Sequence, residues 1–150
     1  MTRYPRLADL QALVGQEIGA SDWVVVDQAR IALFADATGD HQWIHVDPLR
    51  AAAGPYRATI AHGFLTLSLL PLLSAQAFEI GDQRLGLNYG LDKVRFPSPV
   101  RAGSRLRGRF VLESYEPIDG GAQLRVRCTM EVEGDPKPAC VALSVTRRFV

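Results

Sequence analysis

The architecture of this chain turns on Phe64-Leu-Thr-Leu-Ser-Leu-Leu-Pro-Leu-Leu-Ser-Ala-Gln-Ala-Phe78. Ten of these fifteen positions are apolar, and they leave hardly any polar face for water. A helix apolar all round is a buried one, and Pro71 inside it should bend it or loosen one turn. Downstream the period changes. Leu106, Phe110 and Leu112 alternate with arginines, as do Leu124, Val126, Cys128, Met130 and Val132. That is the two-residue repeat of strands with one buried face. Pro117-Ile118-Asp119-Gly120-Gly121 and Gly134-Asp135-Pro136 mark the turns between strands that begin near Leu85. The last strand, Ala139 to Phe149, alternates less cleanly.

Upstream, Leu7 to Val14 reads as a short helix and Trp23 to Val26 as a β-rich run. A helix through Gln28 to Ala37 is capped by Asp27 and stopped by Thr38-Gly39-Asp40. Asp47 as cap and Pro48 at the first position start another short helix, which ends at Gly54-Pro55. Helices early and antiparallel strands late predict an α+β domain, one long buried helix packed on a curved antiparallel sheet.

The length, 150 residues, suits one domain spanning residues 1–150 with a sizeable core. Hydrophobic residues at 47% and charged residues at 22% are an ordinary globular balance, and the net charge of +1 calls for neither nucleic acid nor a membrane surface. The arginines at 105, 107, 109, 125 and 127 sit at strand spacing and read as a solvated sheet face. The first ten residues hold no apolar signal core, and no stretch is long enough to span a membrane. Cys128 and Cys140, in a chain without an export signal, are expected as reduced core residues in a cytoplasmic protein.

Asp40, His41, His45, Asp47 and His62 fall within 23 positions and include all three histidines. Three readings compete. The His41–His45 spacing resembles a two-histidine zinc motif, but Gln42 stands where that motif has its general base, and Gly39 and Pro48 leave little room for one helix. Alternatively, Asp40 caps a turn and His45 is a hydrogen-bonded core residue. The third reading is an Asp40/His45 acid–base pair, converging across the loop that leaves the helix at Gly39. Gly63, directly after His62, opens the apolar helix. It could present an unobstructed backbone N–H to a developing oxyanion, or simply allow close packing.

The stretch Phe34-Ala-Asp-Ala-Thr-Gly-Asp-His-Gln-Trp-Ile-His-Val-Asp-Pro48, followed by Ala61-His-Gly-Phe-Leu65, closely resembles the hydratase-2 motif. That motif belongs to the MaoC-like (R)-specific enoyl-CoA hydratases, or 3-hydroxyacyl-thioester dehydratases. With Asn88-Tyr-Gly-Leu-Asp-Lys-Val-Arg-Phe-Pro97 downstream, the wording looks most like the nodulation-protein-N-like branch. The resemblance spans Gly15 to Val145, with one departure: Gln42-Trp43 stands where many members carry Asn-Pro.

The resemblance implies a hot-dog fold and a homodimer with its thioester site near the subunit interface. It also implies no metal or redox cofactor, and an acyl-CoA or acyl-carrier-protein thioester as substrate. Asp40 and His45 would be catalytic and Gly63 the oxyanion donor. Gln42, His62, Ser68, Asn88 and Tyr89 are expected as supporting or lining residues, although Ser68 more simply bonds back to its own helix. A thioesterase and a non-catalytic acyl-thioester binding module are the alternatives on the same fold.

Overall fold

A computed structural model describes residues 1–150. The chain order is β1 (Thr2–Tyr4), a 3₁₀ helix (Leu7–Leu13), β2 (Glu17–Ala20), β3 (Val24–Val26), α1 (Gln28–Thr38), α2 (Trp43–Val46) and α3 (Pro48–Ala52), followed by α4 (Gly63–Ser68), α5 (Leu70–Ala77), β4 (Phe78–Ile80), β5 (Leu85–Arg95), β6 (Ser104–Ile118), β7 (Gly121–Val132) and β8 (Cys140–Phe149). Local chemistry sets the helix ends. Asp27 accepts the Arg30 N–H at the start of α1, and Gly39 closes that helix in the left-handed region at φ 79°. Asp47 accepts the Arg50 N–H, with Pro48 at the first position of α3.

The main sheet is antiparallel and runs β2-β6-β7-β8-β5, with β3 paired to β6 beyond the end of β2. β1 and β4 form a separate parallel pair. The hairpin between β6 and β7 is tighter than the Pro117–Gly121 turn expected from sequence: Pro117 pairs with Ala122 and Ile118 with Gly121, leaving only Asp119 and Gly120 as the loop. At Pro117 the strand has β7 as its one neighbour, where a missing N–H is best tolerated.

The α4–α5 segment lies across the concave face of the sheet. Leu70, Leu73 and Ala77 join Leu106, Phe110, Leu112, Leu124, Val126, Cys128 and Met130 in one core, with the Phe78 and Phe110 rings edge to face at 5.8 Å. This is the hot-dog arrangement. Three details differ from the expected helix. It ends at Ala77, and Phe78 turns to extended backbone and begins β4. It is divided at Leu69, whose N–H reaches both Leu65 and Thr66 carbonyls, a tightened turn just ahead of Pro71. It is also not buried on every side, since Phe64 is 70% exposed and Leu72 also meets solvent. Its apolar circumference exceeds what one sheet can cover.

Cys128 and Cys140 are free, buried thiols, and burial pushes them up to about 12 and about 11. Each arginine of the expected stripes meets an acid: Arg105 with Glu133, Arg107 with Glu131, Arg109 with Glu17, Arg125 with Asp92 and Glu116, Arg127 with Glu113. These pairs neutralise the outer face of the sheet. No helix is long and apolar enough to cross a membrane.

Candidate active site

The loop after α1, the short helix α2 and the start of α4 meet at one point. α1 ends at Gly39, so Asp40 begins the loop, and α2 carries His45 on the side turned inward, 6% exposed. The buried His62 immediately precedes α4. Side-chain donor atoms of Asp40, His45 and His62 all lie within 4.8 Å of one another. The two imidazoles stack, with centroids 3.8 Å apart and planes inclined by 23°, and Phe34 packs on His62 at 4.9 Å.

Hydrogen bonds assign the tautomers. The His45 Nδ1 is 2.7 Å from the Ile60 carbonyl, which can only accept, so Nδ1 carries the hydrogen. That leaves Nε2 of the neutral ring as an unprotonated acceptor. The His62 Nε2 donates to the Asp40 carbonyl at 2.9 Å and lies 3.9 Å from the Asp40 carboxylate, while its Nδ1 is buried without a partner. Burial pushes the His45 imidazole below its ordinary value and the adjacent His62 adds to this; the Ile60 hydrogen bond and Asp40 oppose it. The Asp40 side chain, by contrast, is 53% exposed.

His41, the other half of the sequence's zinc-like spacing, is drawn to Asp36 at 2.9 Å. His62 takes its place beside His45. Stacked rings direct their in-plane lone pairs along nearly parallel planes, whereas a zinc ion needs both nitrogens to converge at about 2.0–2.1 Å.

Gly63 opens α4, and no side chain caps that end. A Cβ there would lie 3.2 Å from the Phe96 ring, so the glycine keeps this approach open. Gln42 contributes its backbone N–H, donated to the Asp40 carboxylate at 3.3 Å. Ser68 bonds back to the Phe64 carbonyl at 2.6 Å. Asn88 and Tyr89 stand on β5. They line a cavity of about 370 Å³ with Ser68, Leu70 and Pro71, and Arg147 covers the Tyr89 ring at 3.7 Å.

Sequence reading missed Gln28. From the first position of α1 its amide donates to the His45 carbonyl at 2.8 Å and accepts from the Thr59 hydroxyl. It braces α2 from behind, across 17 residues, and no local motif signals it.

The lowered His45 value has a signed consequence. A histidine harder to protonate folded than unfolded contributes stability that is present above about pH 6.5 and lost as pH falls through the lowered value. The Tm advantage of the native protein over His45→Gln should therefore shrink on acidification below about pH 6.5. Thermal melts of both proteins from neutral to acid pH check this; an advantage that grows on acidification would contradict it.

Residues 9–134 match the MaoC-like domain family. The chain is 55% identical over 148 residues to 3-hydroxyacyl-thioester dehydratase Z of Mycobacterium tuberculosis, covering 98% of each chain. It is 52% identical over 144 residues to nodulation protein N of Rhizobium leguminosarum, covering 93% of this chain and 89% of that one. Among solved structures, the (R)-hydratase of A. caviae superposes with a TM-score of 0.71 over 89% of this chain and 94% of its own, at 23% identity. The cluster at Asp40, His45, His62 and Gly63 thus sits in a chain that belongs to the MaoC-like domain family.

Proposed function

We propose that this chain catalyses the reversible hydration of trans-2-enoyl thioesters to (R)-3-hydroxyacyl thioesters in fatty-acid metabolism. Its substrate is carried on coenzyme A or an acyl carrier protein, and it works in the cytoplasm. The observation that carries the proposal is the convergence of Asp40 and a neutral, Nε2-unprotonated His45 beside the uncapped Gly63 end of α4. The near-full-length identity to a 3-hydroxyacyl-thioester dehydratase supports the choice of reaction.

Water is a weak nucleophile and the thioester's β-carbon a modest electrophile. Two hydrogen-bond acceptors, the Asp40 carboxylate and His45 Nε2, take the two hydrogens of one water and leave its oxygen lone pair free to attack. As the C–O bond forms at the β-carbon, the π electrons move toward the thioester oxygen, where the Gly63 N–H meets the developing charge. The proton taken from water is then returned to the α-carbon, so the net addition is H and OH. Dehydration is the same path reversed. In the assay, enoyl-thioester absorbance disappears without release of free thiol. Free thiol would make the protein a thioesterase, and tight binding with neither change would make it a binding module.

The same proposal includes a homodimer joined through β5. That strand pairs with β8 on one side only, and its eleven residues are almost wholly exposed, including Leu85, Leu87, Tyr89 and Leu91. A long apolar edge invites pairing with another strand. Phe64 and Phe96, edge to face at 6.3 Å and both exposed, extend the apolar surface to Gly63, which favours an interface beside the site. Light scattering should give about 33 kDa, twice the 16.5 kDa of one chain, and Leu87→Lys should shift it toward the single-chain mass. A native protein at the single-chain mass would rule the dimer out.

A further inference from the structure

The inner face of β8 grows polar along its length. Cys140 and Ala142 lie in the core, but Ser144, Thr146 and Arg148 follow at the same two-residue spacing. These three line a cavity of about 520 Å³ beside α5, with Phe110 and Val126 among its apolar walls. That volume lies in the range of small-molecule sites. Asp40, His45, His62 and Gly63 are not part of its lining, yet it shares Leu70, Pro71, Asn88 and Ser144 with the smaller cavity at Tyr89.

The polar groups of this wall are incompletely satisfied. Ser144 donates to the Val126 carbonyl at 3.1 Å. Thr146, only 4% exposed, has a buried hydroxyl with no partner. The Arg148 Nε is likewise buried and unpartnered, and its one side-chain bond goes to the neutral Gln83 amide at 3.2 Å. Every arginine of the outer-face stripes has a carboxylate; Arg148 has none. Glu79, which lines the cavity from β4, is engaged by Arg3 at 2.8 Å. Burial accordingly pushes the guanidinium below its ordinary value. Opposite it on β5, a Cβ at Gly86 would fall 2.5 Å from an Arg148 terminal nitrogen, so the glycine leaves the guanidinium its space.

A half-buried guanidinium whose Nε is wholly enclosed and which has no counter-charge is costly, as is a buried hydroxyl without a partner. A planar guanidinium fork matches the two oxygens of a carboxylate. We propose that this cavity binds a small molecule with an apolar body and a terminal carboxylate, its carboxylate held by Arg148 and Thr146 and its body lying along Phe110 and Val126. Two sources share that chemistry: an acyl thioester whose tail ends in a carboxylate, and a free fatty acid.

Calorimetric titration with decanoate, and with decan-1-ol as the uncharged control, tests the site on the whole protein. Decanoate should bind at least about tenfold more tightly than decan-1-ol, and Arg148→Met should remove that preference, the scale of one charge-assisted pair. Thr146→Val should weaken decanoate and leave decan-1-ol unchanged. Arg148→Met should fold, with a Tm at or above that of the native protein, because it removes an unpaired charge. Equal binding of the two probes, or unaltered decanoate binding by Arg148→Met, overturns the proposal. So does loss of folding in both Arg148→Met and Arg148→Gln, which would make the guanidinium structural. Competition between decanoate and an enoyl thioester assigns the site to a substrate tail, and binding without competition assigns it to a free carboxylate; both uphold it. The titration does not depend on hydratase activity, so its failure and that of the proposed reaction are distinguishable.

Discussion

Asp40→Asn and His45→Gln should each slow enoyl-thioester hydration by about 10²–10⁴-fold, the scale of a positioned acid–base group. Both variants should remain folded. Asp40 is half exposed, and the one side-chain bond it accepts, from the Gln42 N–H, is equally available to an asparagine carbonyl oxygen. His45 is buried and donates to the Ile60 carbonyl, a bond a glutamine amide can replace while lacking a titratable nitrogen. If the two side chains hold one water, the double variant should be little slower than the slower single, because residues acting as a unit are not additive. Near-normal turnover in either single variant removes the acid–base pair from the mechanism.

Gly63→Pro against Gly63→Ala isolates a backbone donor that side-chain substitution cannot reach. Proline is tolerated at the first position of a helix, where its missing N–H has no helical partner. His62, at φ −57° and ψ 138°, already has the extended backbone a following proline requires. Both substitutions add a Cβ against the Phe96 ring, so any cost of that contact is shared and cancels in the comparison. Alanine keeps the N–H and proline removes it. The proline variant should therefore be slower than the alanine variant by about 10²–10³-fold, the worth of one oxyanion donor. Circular dichroism and gel filtration check that both fold alike. Equal rates for the two would show that the Gly63 N–H does not meet the thioester oxygen.

Much of the fold was legible because its signals are local. Asp27 and Asp47 mark helix starts by accepting the N–H three residues on, Pro48 by its fixed φ, and Gly39 marks an end through its own φ. The alternation in β6 and β7 follows from one face meeting the core and the other meeting water. The Asp40–His45 spacing was readable for the same reason, since only the α1–α2 loop separates the two.

Where the chemistry depends on distant partners, local reading fell short. His41 and His45 form the conspicuous pair in the chain, yet His41 turns to Asp36 and the residue stacked on His45 is His62, brought in by the approach of α4 to α2. Gln28 braces His45 from a helix whose pattern offers no hint of it.

The residue order by itself determined the capped helices α1 and α3, the alternating strands β6 and β7 and most of the apolar segment that begins at Phe64, because each rests on interactions between near neighbours. Only the tertiary structure decided that this segment divides at Leu69 and leaves Phe64 uncovered, that His45 carries its hydrogen on Nδ1, and that Arg148 lies under α5 without a counter-charge. Each of these depends on which backbone carbonyl, ring or cavity the packed elements bring into reach.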